Sequence, residues 1–324
     1  MESIITLRKS IDTRLVQLEV KAQPRNLYEP IGYLLALGGK RFRPLLVLLT
    51  AQLRGMQNPK ALDPALAVEV FHNFTLMHDD IMDAAPLRRG QPSVHEKWNQ
   101  NTAILSGDAM FVKAYQLITK IDPSYLLLAM NRFNETALEV CEGQQLDMDF
   151  EQIVDVSQAD YLEMIRLKTA VLLGFSMELG GIMGGFGRED QERLYKVGEN
   201  LGLGFQLMDD LLDVYGDQQK VGKQVGGDII ANKKTFLMIN ALDLAGTDVR
   251  SQLNGWISMR DVDSMEKVAG VKNIFNDLGI PQLVKIKMDA YFDEAFRLLK
   301  TIDCDKEGLD FFNNFAKSLI KREG

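Results

Sequence analysis

The amino-acid sequence predicts an all-α protein, on three observations. Apolar residues recur at helical spacing through most of the chain. No segment alternates apolar and polar residues with turn punctuation. The 9 prolines fall mostly where helices would start.

The helical pattern runs over residues 4–20, 65–82, 103–118, 125–140, 161–183, 192–214, 234–244 and 291–299. Asp63-Pro64 and Asp122-Pro123 each read as an N-cap followed by proline at the first helical position, and Asn58-Pro59 punctuates the loop before the first of them. Residues 171–185 form the most apolar run. It is too short to span a membrane and contains Glu178 and several glycines, so it reads as a buried helix with close neighbours. Two stretches read as functional loops: 83–98, with Arg88-Arg89-Gly90-Gln91-Pro92, and 215–228, rich in Gly, Gln and Lys. No Pro/Gly/Ser-rich linker divides the chain, so one domain over 1–324 is expected.

Composition narrows the function classes. The 324 residues are 46% hydrophobic and 25% charged, with a net charge of −8 and no long basic run. Nucleic acid or a membrane surface is therefore disfavoured as the main partner. Cys141 and Cys304 show no metal-ligand or CxxC spacing and read as free thiols of a reducing, cytoplasmic setting. Met1-Glu2-Ser3-Ile4-Ile5 lacks the basic-then-apolar pattern of a signal peptide.

The chemistry lies in two echoing clusters, Asp79-Asp80-x-x-Asp83 and Asp209-Asp210-x-x-Asp213. On a helix, positions i and i+4 share a face with i+1 beside them, so three carboxylates crowd together. Hard divalent cations compensate such crowding; Mg²⁺ takes one or two carboxylates and completes its shell with water and substrate phosphate oxygens. A solvated acidic turn is the alternative for either cluster alone. Duplication inside strongly apolar helices favours the metal–diphosphate reading, and bound Mg²⁺ would reconcile an acidic chain with anionic substrates. His72 precedes Asp79 by nearly two turns and lines up with Leu76, Asp79 and Asp83, so it either lines the same cavity or packs as an ordinary helix histidine. His78 reads as a local hydrogen-bond partner of Asp79. Lys40, Arg41 and Arg43 follow a glycine pair, and Arg88-Arg89 follow the first cluster, as phosphate-binding cations would.

The ordered set Gly39-Lys40-Arg41-x-Arg43-Pro44, Asp79-Asp80-x-x-Asp83, Arg88-Arg89, Gly143-Gln144-x-x-Asp147, Lys168-Thr169, Gln206-x-x-Asp209-Asp210-x-x-Asp213, Lys223 and Lys233 resembles the trans-isoprenyl (polyprenyl) diphosphate synthases, short-chain type, from about residue 27 onward. The resemblance implies a single-domain helical bundle around a central cavity, a homodimer, and three Mg²⁺ ions. It implies metal ligation by Asp79, Asp80 and Asp83, and by Asp209 with Asp210 and Asp213 in its surround. Arg88, Lys168, Lys223 and Lys233 would contact an allylic diphosphate; Lys40, Arg43, His72 and Arg89 would hold isopentenyl diphosphate. Thr169 and Gln206 would lie along the reacting centre, and Lys321-Arg322 resembles a basic tail that covers the site in some members. The stretch from Lys223 to Asp228 is one residue longer than the usual spacing.

The implied reaction is head-to-tail prenyl transfer through an allylic cation, with the proton lost to the departing diphosphate. Phe71 and Phe74 lie roughly 12 Å and 7.5 Å before Asp79 along a helix. With Thr75 they are the candidate determinants of product length, favouring a C15–C20 product, farnesyl or geranylgeranyl diphosphate. Ordinary core packing is the alternative for the two phenylalanines. A class I terpene cyclase and a non-catalytic subunit of a heteromeric synthase are the competing readings. The second aspartate cluster with Lys40 and Arg43 speaks against the first, and the completeness of both clusters against the second.

Overall fold

A computed structural model describes residues 2–18, 23–56, 58–153, 155–216, 226–259 and 263–323, without the side chains of 58, 59 and 321–323. About 80% of the chain is helical, as the periodicity predicts. The chain divides into two compact units: residues 1–134, 175–192 and 303–309, and residues 135–174, 193–302 and 310–324.

In the first unit, α1 (Ile4–Val16), α2 (Arg25–Ala36) and α3 (Phe42–Gln52) precede the long α4 (Asn58–Met82). A two-stranded hairpin, β1 (Leu87–Arg88) and β2 (Gln91–Pro92), pairs Arg88 with Gln91. It leads through the short α5 (Val94–Lys97) to α6 (Gln100–Ile118). Asn99 starts α6 by accepting the Thr102 N–H at 2.9 Å. α4 is encased: Ala65, Leu66, Ala67, Val68, Val70 and Phe71 are all at most 1% exposed.

α7 (Pro123–Gln152) begins in the first unit and continues in the second. The chain then forms α8 (Gln158–Ile165), a π-helical turn (Arg166–Ala170) and α9 (Val171–Met183). α10 (Arg188–Tyr215), α11 (Gly227–Ile230), α12 (Phe236–Leu244), α13 (Thr247–Ser258), α14 (Ser264–Asp277), α15 (Ile280–Leu299) and α16 (Lys306–Glu323) complete the order.

The two Asp-Pro pairs differ. Asp122 accepts from the backbone N–H and hydroxyl of Ser124 at 2.9 and 2.6 Å, and α7 starts at Pro123 as expected. Pro64, by contrast, sits inside α4, which starts at Asn58. Asp63 is not a cap: Arg14 and Lys120 hold its carboxylate at 3.0 and 2.9 Å. The apolar stretch is buried over 171–183, and its Glu178 accepts from Arg132 at 2.8 Å. No helix among the described residues is long and apolar enough to cross a membrane.

Candidate active site

The first unit gathers the cations after the glycine pair. Gly38 and Gly39 take φ values of 79° and 146°, which side chains rarely tolerate, and Arg41 follows at φ 52°. Arg41, 4% exposed, is not a phosphate-facing cation. It donates to Glu69 at 2.7 Å, Asp12 at 3.0 Å and the Leu35 carbonyl at 2.9 Å, and so fixes the turn against α4, α1 and α2. Arg8 donates to the Gly39 carbonyl at 2.8 Å, and Arg89 to the Gly38 carbonyl. Arg43 Nη1 lies 3.1 Å from His72 Nε2.

Arg43, Arg89 and His72 thus meet, with Lys40 exposed on the same turn. Burial, then the charges of Arg43, Arg89, Arg88 and Arg41, hold His72 well below its usual pKa. It is therefore a neutral imidazole amid cations. An unfolded histidine titrates near 6.5, so between that value and its lowered folded value the unfolded chain binds the extra proton. His72 then contributes stability above the unfolded pKa that is lost as pH falls below it. We expect the thermal midpoint to fall more steeply below about pH 6.5 in the ligand-free parent than in His72→Asn. Parallel pH profiles of the two midpoints would contradict this.

The first aspartate cluster ends α4, and its three members have different surroundings. Asp80 is 1% exposed and bound by Arg88 through both carboxylate oxygens: Nε at 2.9 and 3.1 Å, Nη2 at 2.5 Å. Burial opposes the Arg88 charge, but its Asp80 bonds and the nearby Asp80, Asp79 and Asp83 charges outweigh that and raise its pKa. Asp79 is 20% exposed and lies 3.8 Å from Arg88; Asp83 is exposed. The hairpin that carries Arg88 is itself anchored where the Tyr33 hydroxyl donates to the Pro92 carbonyl at 2.8 Å.

His78 is not a partner of Asp79. Its ring turns to α6, 3.1 Å from the Ile104 carbonyl, in space that only a glycine at 107 leaves open. Phe74 stacks on Phe111 at 5.0 Å and 17°. Phe71 is fully buried among Phe74, Phe111 and Phe133. Phe74 and Thr75 are partly exposed, and the Thr75 hydroxyl is turned back onto the His72 carbonyl at 2.8 Å.

The second unit builds a cavity of about 790 Å³ whose lining includes Asp147, Lys168, Thr169, Gln206, Asp210 and Lys233. Lys168 and Thr169 sit on the π-helical turn, an irregularity frequent at functional sites. Gly143 lets α7 come within contact of that turn: a β-carbon there would lie 2.6 Å from Leu167 C and Lys168 Cα. Lys168 Nζ donates to Asp147 at 2.6 Å. Lys234 caps α7 by donating to the Phe150 and Glu151 carbonyls at 2.6 and 3.2 Å, where a cation complements the helix dipole.

In the second aspartate cluster Asp209 is exposed and Asp210 buried. Asp210 accepts from Tyr161 Oη at 2.5 Å and Gln206 Nε2 at 3.2 Å. Burial raises its carboxyl to about 7; the Tyr161 hydrogen bond opposes the shift and the Asp228 charge adds to it. Asp213 Oδ2 accepts the Asp228 N–H at 3.0 Å. Lys223 lies outside the described residues, as do the side chains of Lys321 and Arg322.

Tyr161, Asp147 in its role toward Lys168, and Arg41 as a brace were not legible as site residues. Motif spacing carried no signal for the first, and burial of the third depends on partners distant in sequence.

Among the described residues, no group of three or more His, Cys, Asp or Glu side chains could hold a metal ion. Smaller donor sets remain. Asp79 and Asp83 stand one turn apart as hard oxygen donors, and Asp209 is presented outward. One or two carboxylates leaving room for phosphate oxygens is the Mg²⁺ habit. The residues present therefore fit a divalent ion that arrives with a diphosphate.

The fold and these sites define an all-α prenyltransferase. The family model for polyprenyl synthetase matches residues 24–277. The geranylgeranyl diphosphate synthase of Methanosarcina mazei is 35% identical over 97% of this chain and 95% of its own length. A crystal structure of a geranylgeranyl pyrophosphate synthase superposes with a TM-score of 0.95 at 42% identity, covering 100% of both chains. The polyprenyl synthase of Caulobacter crescentus CB15, complexed with calcium and isoprenyl diphosphate, matches with a TM-score of 0.85 at 28% identity, over 97% of this chain and 95% of that one. The chain belongs to the polyprenyl synthetase family.

Proposed function

We propose that this chain joins isopentenyl diphosphate head to tail to an allylic diphosphate, with Mg²⁺, and stops at C20. One observation carries the reading: α4 presents two chemically different groups of side chains, each suited to an anion in its own way. At His72 the helix meets Arg43 and Arg89, a cationic pocket that can hold a diphosphate without metal. Seven residues on, roughly 10 Å along the axis, Asp79 and Asp83 offer carboxylates that need a metal to hold the same anion. Two diphosphates, of which only one must depart, call for that difference. Several relatives named geranylgeranyl synthases support the product class, beside others named geranylfarnesyl synthases.

The residues then have distinct tasks. Arg43, Lys40 and Arg89 bind the diphosphate that stays. His72, neutral, accepts from Arg43 and orients it. Asp79 and Asp83 would hold a divalent ion with the diphosphate that leaves, and Asp209 would offer a carboxylate to a divalent ion in its own unit; Asp80 and Asp210 anchor their neighbours. Arg88 in the first unit and Lys168 and Lys233 in the second are cations suited to diphosphate oxygens, and Thr169 and Gln206 present oxygen atoms to the reacting carbon. A divalent ion, when bound, neutralises charge that grows on the leaving oxygen. The allylic C–O bond breaks, the isopentenyl double bond supplies the electron pair of the new C–C bond, and the proton passes to the released diphosphate. The apolar walls exclude water from the cation.

Calorimetry tests the two-site claim. Isopentenyl diphosphate should bind in EDTA and lose about 10-fold or more in affinity in Arg43→Gln, as expected for a charge-assisted contact. A non-reactive allylic diphosphate analogue should bind only with Mg²⁺. Equal metal dependence for both ligands would contradict the reading.

The Phe74–Phe111 stack is proposed as the stop for the growing chain. Phe74→Ala should shift the main product by at least one isoprene unit, read by chromatography of the dephosphorylated alcohols; an unchanged product would remove Phe74 from that role. The protein is proposed to act as a cytoplasmic homodimer. Leu105 and Val112, two turns apart on α6, are 60% and 57% exposed, an apolar face suited to a second copy. Leu105→Glu should halve the sedimenting mass, and a parent that already sediments as a monomer would contradict the dimer.

A further inference from the structure

Tyr161, on α8, is 4% exposed and lies seven residues before Lys168. Its hydroxyl donates to Asp210 Oδ2 at 2.5 Å. The other oxygen, Asp210 Oδ1, accepts from Gln206 Nε2 at 3.2 Å. Gln206 Oε1 in turn accepts from the Thr169 hydroxyl at 3.3 Å. These three bonds join α8, α10 and the π-helical turn along one wall of the second unit's cavity, which Tyr161, Thr169, Gln206 and Asp210 all line. Each Asp210 oxygen thus accepts a hydrogen bond from within the unit.

A carboxamide has two ends of nearly equal shape and opposite hydrogen-bonding sense. With Tyr161 donating to Oδ2, Asp210 Oδ1 remains an acceptor and selects the nitrogen end of Gln206. The oxygen end then faces Thr169. Beside a carbon that develops positive charge, fixed oxygen dipoles stabilise the transition state and N–H donors oppose it. We propose that Tyr161 is a positioning residue for prenyl transfer: through Asp210 it fixes the Gln206 carboxamide with its oxygen toward Thr169. The inference rests on the prenyl-transfer reading above and adds a residue to which that reading gives no task.

The test is a double-mutant cycle with Tyr161→Phe and Gln206→Leu, alongside the crystal structure of Tyr161→Phe. Tyr161→Phe should lower kcat about 10- to 100-fold, the scale of one charge-assisted hydrogen bond acting on the transition state. The KM for isopentenyl diphosphate should stay within about twofold, because the loss falls on the chemical step. In the Gln206→Leu background the same substitution should change kcat by less than about twofold, since the pathway is already cut. In the crystal the Gln206 carboxamide should leave its Asp210 contact.

A kcat within about twofold of the parent, or an equal loss in both backgrounds, would overturn the proposal. If Tyr161→Phe does not fold, 3,5-difluorotyrosine placed at 161 keeps the ring and its hydroxyl and makes the phenol a more acidic, stronger donor. It should then shift kcat about twofold or more in the parent and not in Gln206→Leu; no shift in the parent would overturn the proposal. If the parent itself transfers no prenyl group, the functional reading fails separately. The Tyr161→Phe crystal structure still decides the positioning claim, and an unmoved Gln206 would refute it.

Discussion

Asp80→Ala should abolish most prenyl transfer and also destabilise the first unit, a pairing of effects not expected of either neighbour. Asp80 is 1% exposed and holds Arg88 through both oxygens, and the Arg88 side chain is only 25% exposed. Removing the carboxylate strands that guanidinium. A fully buried ion pair broken on one side costs about 3–5 kcal/mol; the partial exposure of Arg88 lowers the expectation to about 2 kcal/mol after solvent screening. Activity falls further because Arg88 no longer faces the departing diphosphate. A loss of at least about 100-fold in kcat is expected, the scale of deleting one fixed electrostatic stabiliser. Asp83→Ala provides the contrast. Asp83 is exposed and reaches the Arg88 charge only through solvent-screened attraction, so its loss should reduce kcat strongly while moving the denaturation midpoint much less than Asp80→Ala does. Urea unfolding and steady-state rates on the same two proteins decide the matter. Equal stability losses would show that the cluster has no inner and outer members.

Gly143→Ala is expected to be the most damaging single methyl in the second unit. Inside an ordinary helix the change would favour folding by about 1 kcal/mol. Here the methyl meets backbone: the Lys168 nitrogen, and Leu167 C and Lys168 Cα at 2.6 Å. Backbone cannot rotate aside as a side chain can, so α7 and the π-helical turn must separate. Overpacking of this kind costs about 3 kcal/mol or more. The same separation stretches the 2.6 Å bond from Lys168 to Asp147, and a misplacement of about 1 Å at a reacting centre can cost roughly 100-fold in rate. Gly32→Ala on α2 is the internal comparison. Nothing lies within 4 Å of its added carbon, so a stability gain of about 1 kcal/mol is expected there. Similar midpoint shifts for the two variants would mean that the close crossing at Gly143 is not a constraint.

Much of this molecule is legible in the sequence because its chemistry is local. The aspartate clusters, the paired arginines and Lys168-Thr169 lie within single turns, where spacing alone sets which residues share a face. The long helices α6 and α10 follow because their apolar residues recur at helical spacing over several turns. What escapes depends on partners far along the chain. Asp63-Pro64 carries the same local signal as Asp122-Pro123, yet Arg14 and Lys120 claim Asp63 and the helix starts earlier. His78 adjoins Asp79 but turns away because Gly107, on another helix, leaves space for it. Arg41 looks like a third phosphate cation until Glu69 and Asp12 close on it. Asp80 and Asp210 look like their neighbours in the motif, and only Arg88 and Tyr161 distinguish them. Helices α2, α13, α14 and α16 are passed over although their apolar faces are at least as one-sided as that of α6.

The most direct measurement is turnover of the purified chain with labelled isopentenyl diphosphate and an allylic primer, the products sized after dephosphorylation. The account predicts condensation by the chain alone, dependent on Mg²⁺ and stopped by EDTA, with a C20 product dominant. Condensation that needs a second protein, transfer that persists in EDTA, or a main product longer than C20 would contradict it.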